Sequence, residues 1–532
     1  MTDRMGRRIR QSVVVETGLA LADHPLAGTL TLLILGTVGM ASTALFVGLP
    51  VPRVHDEFAY LLTAETFAEG RLTNPTHPFW PHFETFHVIH QPTYQAKYPP
   101  AQGLFLCVGI LLGHPVIGVW LSVLLMIGAT AWALRGLLEP RWAFFTTTLL
   151  TLATGVAGNW AQSYWGGAVA AAAGAFVFGA TVRIVRGSAG WRDGALGGLG
   201  LGILANSRPL EGLLLAGAAG LWIVVASLRD GAPRRGNVRA IASALLVGTT
   251  GLVGTAIYNH AVTGSAATFP YVVHTQRYAL SPSIFLLPPA DPPRAEIHSD
   301  IEGLNRVWEE QRRQAREDGI RGILKRASGL LWAVGGAGVV LLVLLPFVWR
   351  LEGVKGPFFL FTIVLIPVLL TTAARSHYLA PATAPLHALV GLTARWLGGR
   401  GRKTLGTAVL AVVVAISFGD LAVDVLLQSV RDDRWASQRQ ALLQDLRRLP
   451  DRDLVFVHYP DDHNVHRDWV YNRPRIDDAE VVWARPLTRP ADSALIVYYR
   501  DRRVWDLEVN RSSNPVGLAE RLRSDRAASS PE

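Results

Sequence analysis

"VPRVHDEFAYLLTAETFAEGRLTNP", residues 51–75, begins where the first long apolar run of the chain ends. Two adjacent carboxylates, Asp56 and Glu57, stand just outside that run, and a short helical pattern follows them. A plain connecting loop needs neither feature. Which side of a membrane this stretch occupies decides how the rest of the chain is read.

Half of the 532 residues are hydrophobic and only 17% are charged. The mean hydropathy is +0.26. That is too apolar for an ordinary soluble enzyme and too mixed for a chain that is membrane throughout. Long apolar runs recur from residue 27 to residue 428, and the last hundred or so residues read as soluble. The formal charge of +10 lies mostly in short loops between apolar runs. Membrane topology accounts for it there, so nucleic acid is not an expected partner. Cys107 is the only cysteine, which excludes an intrachain disulfide and a cysteine metal site. The opening "MTDRMGRRIRQ" carries no small-residue cleavage site and reads as a cytoplasmic anchor over 1–26.

A hydrocarbon core about 30 Å thick takes about 20 helical residues. Eleven spans are expected: 27–48, 115–137, 142–160, 166–186, 193–206, 208–228, 239–258, 327–349, 356–373, 380–397 and 404–428. Arg4, Arg7, Arg8 and Arg10 belong inside by the positive-inside rule, as do the basic loops 135–141, 183–192, 229–239, 349–355 and 395–403. These fall on alternate sides of the list without conflict. The outer set is then 49–114, 159–167, 206–209, 259–326, 375–381 and the C-terminal tail. "AQGLFLCVGILLG" (101–113) is too short to cross, and counting it would put the arginine clusters outside. It is expected as a juxtamembrane or re-entrant helix. The fold class is therefore an α-helical polytopic membrane protein with a small extracytoplasmic α/β domain at its C-terminus, in an inner or plasma membrane.

The opening stretch thus lies outside. Its expected helix, 57–69, carries Tyr60, Leu61, Ala64, Phe67 and Ala68 on one face, with Thr63, Glu65, Thr66 and Glu69 opposite. Such a helix would lie along the membrane surface, partly covered by protein, with Asp56 and Glu57 at its positive end. Other polar groups share that side: Lys97 in "AKYPP", Arg208 and Glu211 in "NSRPLEG", Arg375, His377 and Tyr378 in "RSHYLAP", and Tyr271, Arg277 and Tyr278 in the long loop. Cations at several outer helix ends suit a phosphate or pyrophosphate, and a carboxylate beside them suits a general base. His77, His82, His87 and His90 match no standard ligand spacing, so no metal ligand is assigned.

These pieces resemble the polyprenyl-phosphate-sugar-dependent membrane glycosyltransferases of the GT-C superfamily. The likeness is to the bacterial branch similar to protein O-mannosyltransferases and aminoarabinose transferases. It rests on "HDEFAYLLTAETFAEGRLTNP", "KYPPAQGLFL", "SYWGG", "NSRPLEGLLL" and "HYLAPATAP", which follow the family's order over residues 20 to 400. The resemblance implies transfer of a sugar from a polyprenyl-phosphate carrier to a lipid, glycan or protein acceptor on the outer membrane face. It places Asp56 on the acceptor with Glu57 as neighbour. Lys97, His377 and Tyr378 would take the donor phosphate, with Arg208 and Arg277 as further candidates. Many relatives carry a second acidic residue in the next outer loop, often linked to a divalent metal; here that loop reads "GNWAQSYWGG". A divalent cation is therefore no firm expectation. Tyr60, Gln162, Ser163, Tyr164 and Glu211 are candidate sugar or acceptor contacts.

The transmembrane unit is expected over 27–428 and the tail domain over 429–520, with 521–532 disordered. Residues 429–450 read as a charged helix; 453–459, 479–487 and 493–501 read as strands. The tail resembles an accessory domain found in a subset of the family, and "DDHNVHRDW" (461–469) reads as a polar turn. A transporter or flippase of a lipid-linked envelope precursor is the alternative function, and a non-catalytic scaffold a third. A transporter would favour internal repeats and ionisable groups at the bilayer midplane. The sequence shows no repeat, and its charged groups gather at one face.

Overall fold

A computed structural model describes residues 20–230, 235–278, 282–288, 298–399, 403–430 and 434–521. The expectations for most of the N-terminal anchor and for the tail beyond 521 lie outside these. All eleven apolar segments are helical. Among the described residues, seven helices are long and apolar enough to cross a membrane: Pro25–Val47, Pro115–Arg135, Gly167–Val185, Pro209–Arg229, Gly236–Thr263, Gly319–Val348 and Thr404–Ser429. Pro25, Pro115 and Pro209 open three of them at the position where a missing N–H costs nothing. The other four segments, Pro140–Thr154, Trp191–Ala205, Lys355–Leu369 and Thr383–Gly399, have only 15–17 residues. At about 1.5 Å per residue each is shorter than a bilayer core of about 30 Å.

Small residues let these helices approach closely. Gly194 and Gly198, one turn apart, face the helix Arg235–Thr263, where a Cβ would meet the Ala240 and Ala244 carbonyl oxygens at 1.9 and 2.4 Å. A Cβ on Gly174 would lie 2.0 Å from the Pro381 carbonyl, so the loop carrying His377 and Tyr378 is seated directly on the central helix Gly167–Val185. At the far end of the bundle, Arg135 donates to the Pro25 carbonyl at 3.2 Å, and Arg186 donates to the Gly136 carbonyl at 2.9 Å. This end is opposite the first loop, which leaves the other end of the helix Pro25–Val47.

The 101–113 segment is the helix Ala101–Leu111, which turns at Gly113 into Pro115–Arg135. It exposes Leu104, Val108 and Leu111 on one side and packs Gly103 against Thr63 on the other. The first-loop helix His55–Ala68 starts two residues earlier than expected and is not a surface helix. Phe58, Ala59, Tyr60, Leu62, Thr63, Ala64 and Thr66 are all buried in it. Its polar side is tolerated inside because Thr66 donates to the Leu62 carbonyl at 2.7 Å and Thr63 to Gln95 at 3.1 Å. A small antiparallel sheet follows, made of β1 (Asn74–Pro75), β2 (Val88–Ile89) and β3 (Thr93–Ala96), in the order β1-β3-β2.

The tail forms a second sheet, β5-β4-β6-β7, from β4 (Asp453–His458), β5 (Val481–Ala484), β6 (Arg503–Val509) and β7 (Pro515–Glu520). The strands β4/β5 and β4/β6 are parallel, and β6/β7 is antiparallel. "SALIVYYRD" is not a strand: it lies mostly in the helix Arg489–Tyr498, and the third strand comes after it. Parallel neighbours need a crossover, and Pro490 in the first turn starts a helix there. The tail shares one apolar core with the first loop. Phe58 stacks on Tyr471 with ring centroids 4.4 Å apart, and Leu62, Phe83 and Tyr94 join Trp435, Trp469 and Trp483.

Candidate active site at the first-loop carboxylate

The two adjacent carboxylates do different work. Glu57 is 3% exposed and uses both oxygens on backbone donors. Its Oε2 accepts from the Arg53 and Val54 N–H groups at 2.8 and 3.3 Å, and its Oε1 from the Tyr164 N–H at 3.0 Å. It caps the helix and ties the loop carrying Tyr164 to the first loop. Asp56, with a side chain 23% exposed, faces an opening instead. Its Oδ1 accepts a short hydrogen bond from the Tyr98 hydroxyl, and its Oδ2 lies 3.0 Å from His55 Nδ1. His87 Nε2 is 3.9 Å from Oδ1. Burial opposes ionisation of Asp56, yet His87, His55 and the hydrogen bonds from His55 and Tyr98 outweigh it. The carboxyl ends well below the usual carboxylate range, while burial and the adjacent Asp56 push the Tyr98 phenol well up.

His87 reaches the site at a backbone cost. Its φ of 63° is left-handed, a conformation worth about 1–2 kcal/mol of strain in a non-glycine residue. The Lys97 N–H holds it by donating to the His87 carbonyl at 2.9 Å. The same pairing of β2 with β3 brings Lys97 in, its Nζ 5.3 Å from the Tyr98 ring centre and 5.6 Å from that of Trp308. Burial draws the Lys97 ammonium down to about 8, with Asp56 opposing. Burial, then Lys97 and His55, hold His87 well below its ordinary value, and burial, Lys97 and His55 do the same to His274.

On the opposite side Tyr60 stacks on Tyr98, centroids 4.5 Å apart. The Arg208 guanidinium lies 4.7 Å over the Tyr378 ring, and His377 packs against Tyr378 and Trp165 at 4.7 and 5.2 Å. Asp56 acts electrostatically on Lys97, His377 and Tyr378, and Glu211 on Arg208. Burial and Arg208 keep the His377 imidazole well below its usual range, Asp56 opposing. Among the described residues neither Lys97 nor Arg208 has a salt-bridge partner.

Asp56, Tyr60, Lys97, Arg208, His377 and Tyr378 are thus linked into one cluster by ring contacts, the Tyr98 hydrogen bond and electrostatic interaction, with Glu211 acting on Arg208. Gln162 and Tyr164 instead bond to the Val156 and Pro50 carbonyls at 3.3 and 2.7 Å. Arg277 pairs with Gln91 at 3.0 Å and lies over Trp80. His55, Tyr98, His274 and Trp308 were not singled out as candidates from the sequence, although Tyr98 directly follows Lys97 in "AKYPP". Of the four first-loop histidines assigned no metal, only His87 joins the centre. His77 and His82 bind the tail, through Asp477 at 3.0 Å and the Arg485 carbonyl at 2.9 Å.

His55, Asp56 and His87 each offer one ligand atom, all within 4.8 Å of one another. The pairing of His55 and His87 with the first-loop aspartate is invisible in their spacing. Two imidazoles and a carboxylate suit a zinc-like ion better than magnesium, so the donor set fits a divalent transition metal.

The helical bundle with its buried first-loop helix shares its overall fold with solved structures of membrane proteins. The solved structures it matches include ArnT from Cupriavidus metallidurans bound to undecaprenyl phosphate, with a TM-score of 0.55, 13% identity, and 90% and 92% of the two chains covered. The apo state of the same protein matches with a TM-score of 0.53 and 15% identity over 93% of each chain. No family model matches the sequence. No curated protein matches it either.

Proposed function

We propose that the chain transfers a sugar from a polyprenyl-phosphate carrier to an acceptor at the outer face of the membrane, and that Asp56 orients and deprotonates the acceptor hydroxyl. The observation that carries this reading is the partly exposed Asp56 carboxylate clustered with two cations, Lys97 and Arg208, neither of which has a salt-bridge partner among the described residues. A bond forms between the acceptor oxygen and the anomeric carbon, the bond from that carbon to the phosphate oxygen breaks, and the acceptor proton passes to Asp56. A depressed aspartate is a weak base towards a free hydroxyl. It suits late proton transfer, once the acceptor oxygen has become acidic by bonding an oxocarbenium-like centre. Lys97 and Arg208 would neutralise the departing lipid phosphate, and the Tyr378 hydroxyl would donate a hydrogen bond to it. The basic loops at the other end of the bundle support the outer-face orientation.

A divalent metal held by His55, Asp56 and His87 would supply Lewis-acid charge beside the acceptor. Tyr98 holds the Asp56 carboxylate in place in either case, and the His55 Nδ1–H does so where no metal is bound. The test is release of undecaprenyl phosphate from a panel of undecaprenyl-phosphate-linked hexoses, pentoses and amino-pentoses, with purified protein and a total membrane extract as acceptor. The reading requires release from at least one panel member together with a labelled product in the extract. No release from any member, with folded protein, contradicts it.

A further inference from the structure

We infer that His466, carried by the tail, is a positioning residue of the Asp56 centre that fixes the orientation of His55 and couples the tautomer of His55 to its own; this rests on the function proposed above. His466 Nδ1 lies 2.9 Å from His55 Nε2, across 411 positions of sequence, with ring centroids 5.2 Å apart. His55 Nδ1 in turn lies 3.0 Å from Asp56 Oδ2. A neutral imidazole has one N–H, so the two nitrogens of His55 cannot be assigned independently. With the His55 proton on Nδ1, facing Asp56, Nε2 must accept, and His466 donates from its Nδ1. With His55 Nδ1 as a lone pair facing Asp56 and His87, Nε2 donates to His466. Both arrangements need His466, and a rotation of His55 about its ring axis loses it.

The loop that delivers His466 is built rather than loose. Val465 packs against Phe86, Tyr278 and Leu304, and the His466 N–H donates to Asn464 Oδ1 at 3.2 Å. Asp468 is fully buried, pairing with Arg485 at 2.6 Å and accepting from Thr85 at 2.6 Å. "DDHNVHRDW" does turn, at 461–462 and 465–466, and it also buries His463 and Asp468. His466 is half-buried; besides His55, Asp56 and Arg375 act on it electrostatically. The tail belongs to the centre instead of hanging beside it.

The test uses the full-length chain as His466→Ala and His466→Asn, with Asp56→Asn in parallel, each checked for an unchanged melting temperature. Its readouts are kcat and donor KM in the undecaprenyl-phosphate-sugar panel assay, and nitrogen-15 spectra of histidine-labelled protein. In His466→Ala, kcat falls about 10- to 100-fold with KM unchanged, the size typical of losing a group that holds a reacting or ligating histidine. His466→Asn, whose amide can occupy the place of Nδ1, recovers most of it. His55 shows one tautomer in the wild type and in His466→Asn, and an exchanging mixture in His466→Ala. An unchanged kcat, a change in KM alone, or a His55 tautomer indifferent to His466 overturns the inference. The spectra need no substrate, so they judge the positioning role even if Asp56→Asn retains transfer and the proposed reaction falls.

Discussion

Glu57→Gln removes one carboxylate oxygen from a place where both are used. If the remaining amide oxygen keeps the Arg53 and Val54 donors, the new NH2 group faces the Tyr164 N–H at the 3.0 Å position Oε1 now holds. A buried donor left without an acceptor costs about 1–3 kcal/mol, and bonds to a charged acceptor are at the upper end. One offset applies: burial pushes the Glu57 carboxyl up, so the amide escapes a desolvation cost that the carboxylate bears. The expected net loss is about 2 kcal/mol of stability. Thermal unfolding of purified protein in detergent should show a melting temperature lower by several degrees, with the contact between the first loop and the Tyr164 loop opening to protease first. Transfer, measured where the variant is still folded, should survive, because Glu57 makes no hydrogen bond to Asp56, Tyr98 or Lys97. A variant with wild-type melting and no transfer would refute this division of labour and make Glu57 part of the chemistry.

Lys97 should impose an alkaline limit on activity. Its ammonium, drawn down to about 8 by burial, is charged below that pH and neutral above it, so the attraction for the lipid phosphate is present at pH 7 and lost as pH rises past 8. Donor kcat/KM should fall on that limb, and Lys97→Gln should be low throughout with the limb gone. Phe58→Ala should cost roughly 3–5 kcal/mol, since the ring is stacked on Tyr471 and covered by Arg439 at 4.7 Å. Limited proteolysis should then cut the tail free, and transfer should fall with it.

Periodicity and charge counting gave the span order because a bilayer allows few solutions and because arginines mark one end of the bundle. They failed where tertiary packing overrides local pattern. The first-loop helix looked like a surface helix because its covering layer comes from Trp435, Tyr471 and Trp483, some four hundred positions away. "SALIVYYRD" has strand composition, but the parallel crossover between β5 and β6 makes it mostly helix. Asp56, Lys97, Arg208, His377 and Tyr378 could be placed on one side from topology alone. Glu57 could not be separated from Asp56, since adjacent residues on a helix start differ in direction, not in composition. His55, His87 and His466 converge only through a left-handed residue and a tail loop, and neither leaves a spacing rule to read.

The most direct measurement is sugar transfer by Asp56→Asn protein against wild type, at equal folded concentration, with the panel donors and membrane extract. Asparagine keeps the size of the side chain and can still accept from Tyr98, so the fold should hold. The account expects undecaprenyl phosphate release to drop to background while the melting temperature stays put. Release at the wild-type rate would contradict it.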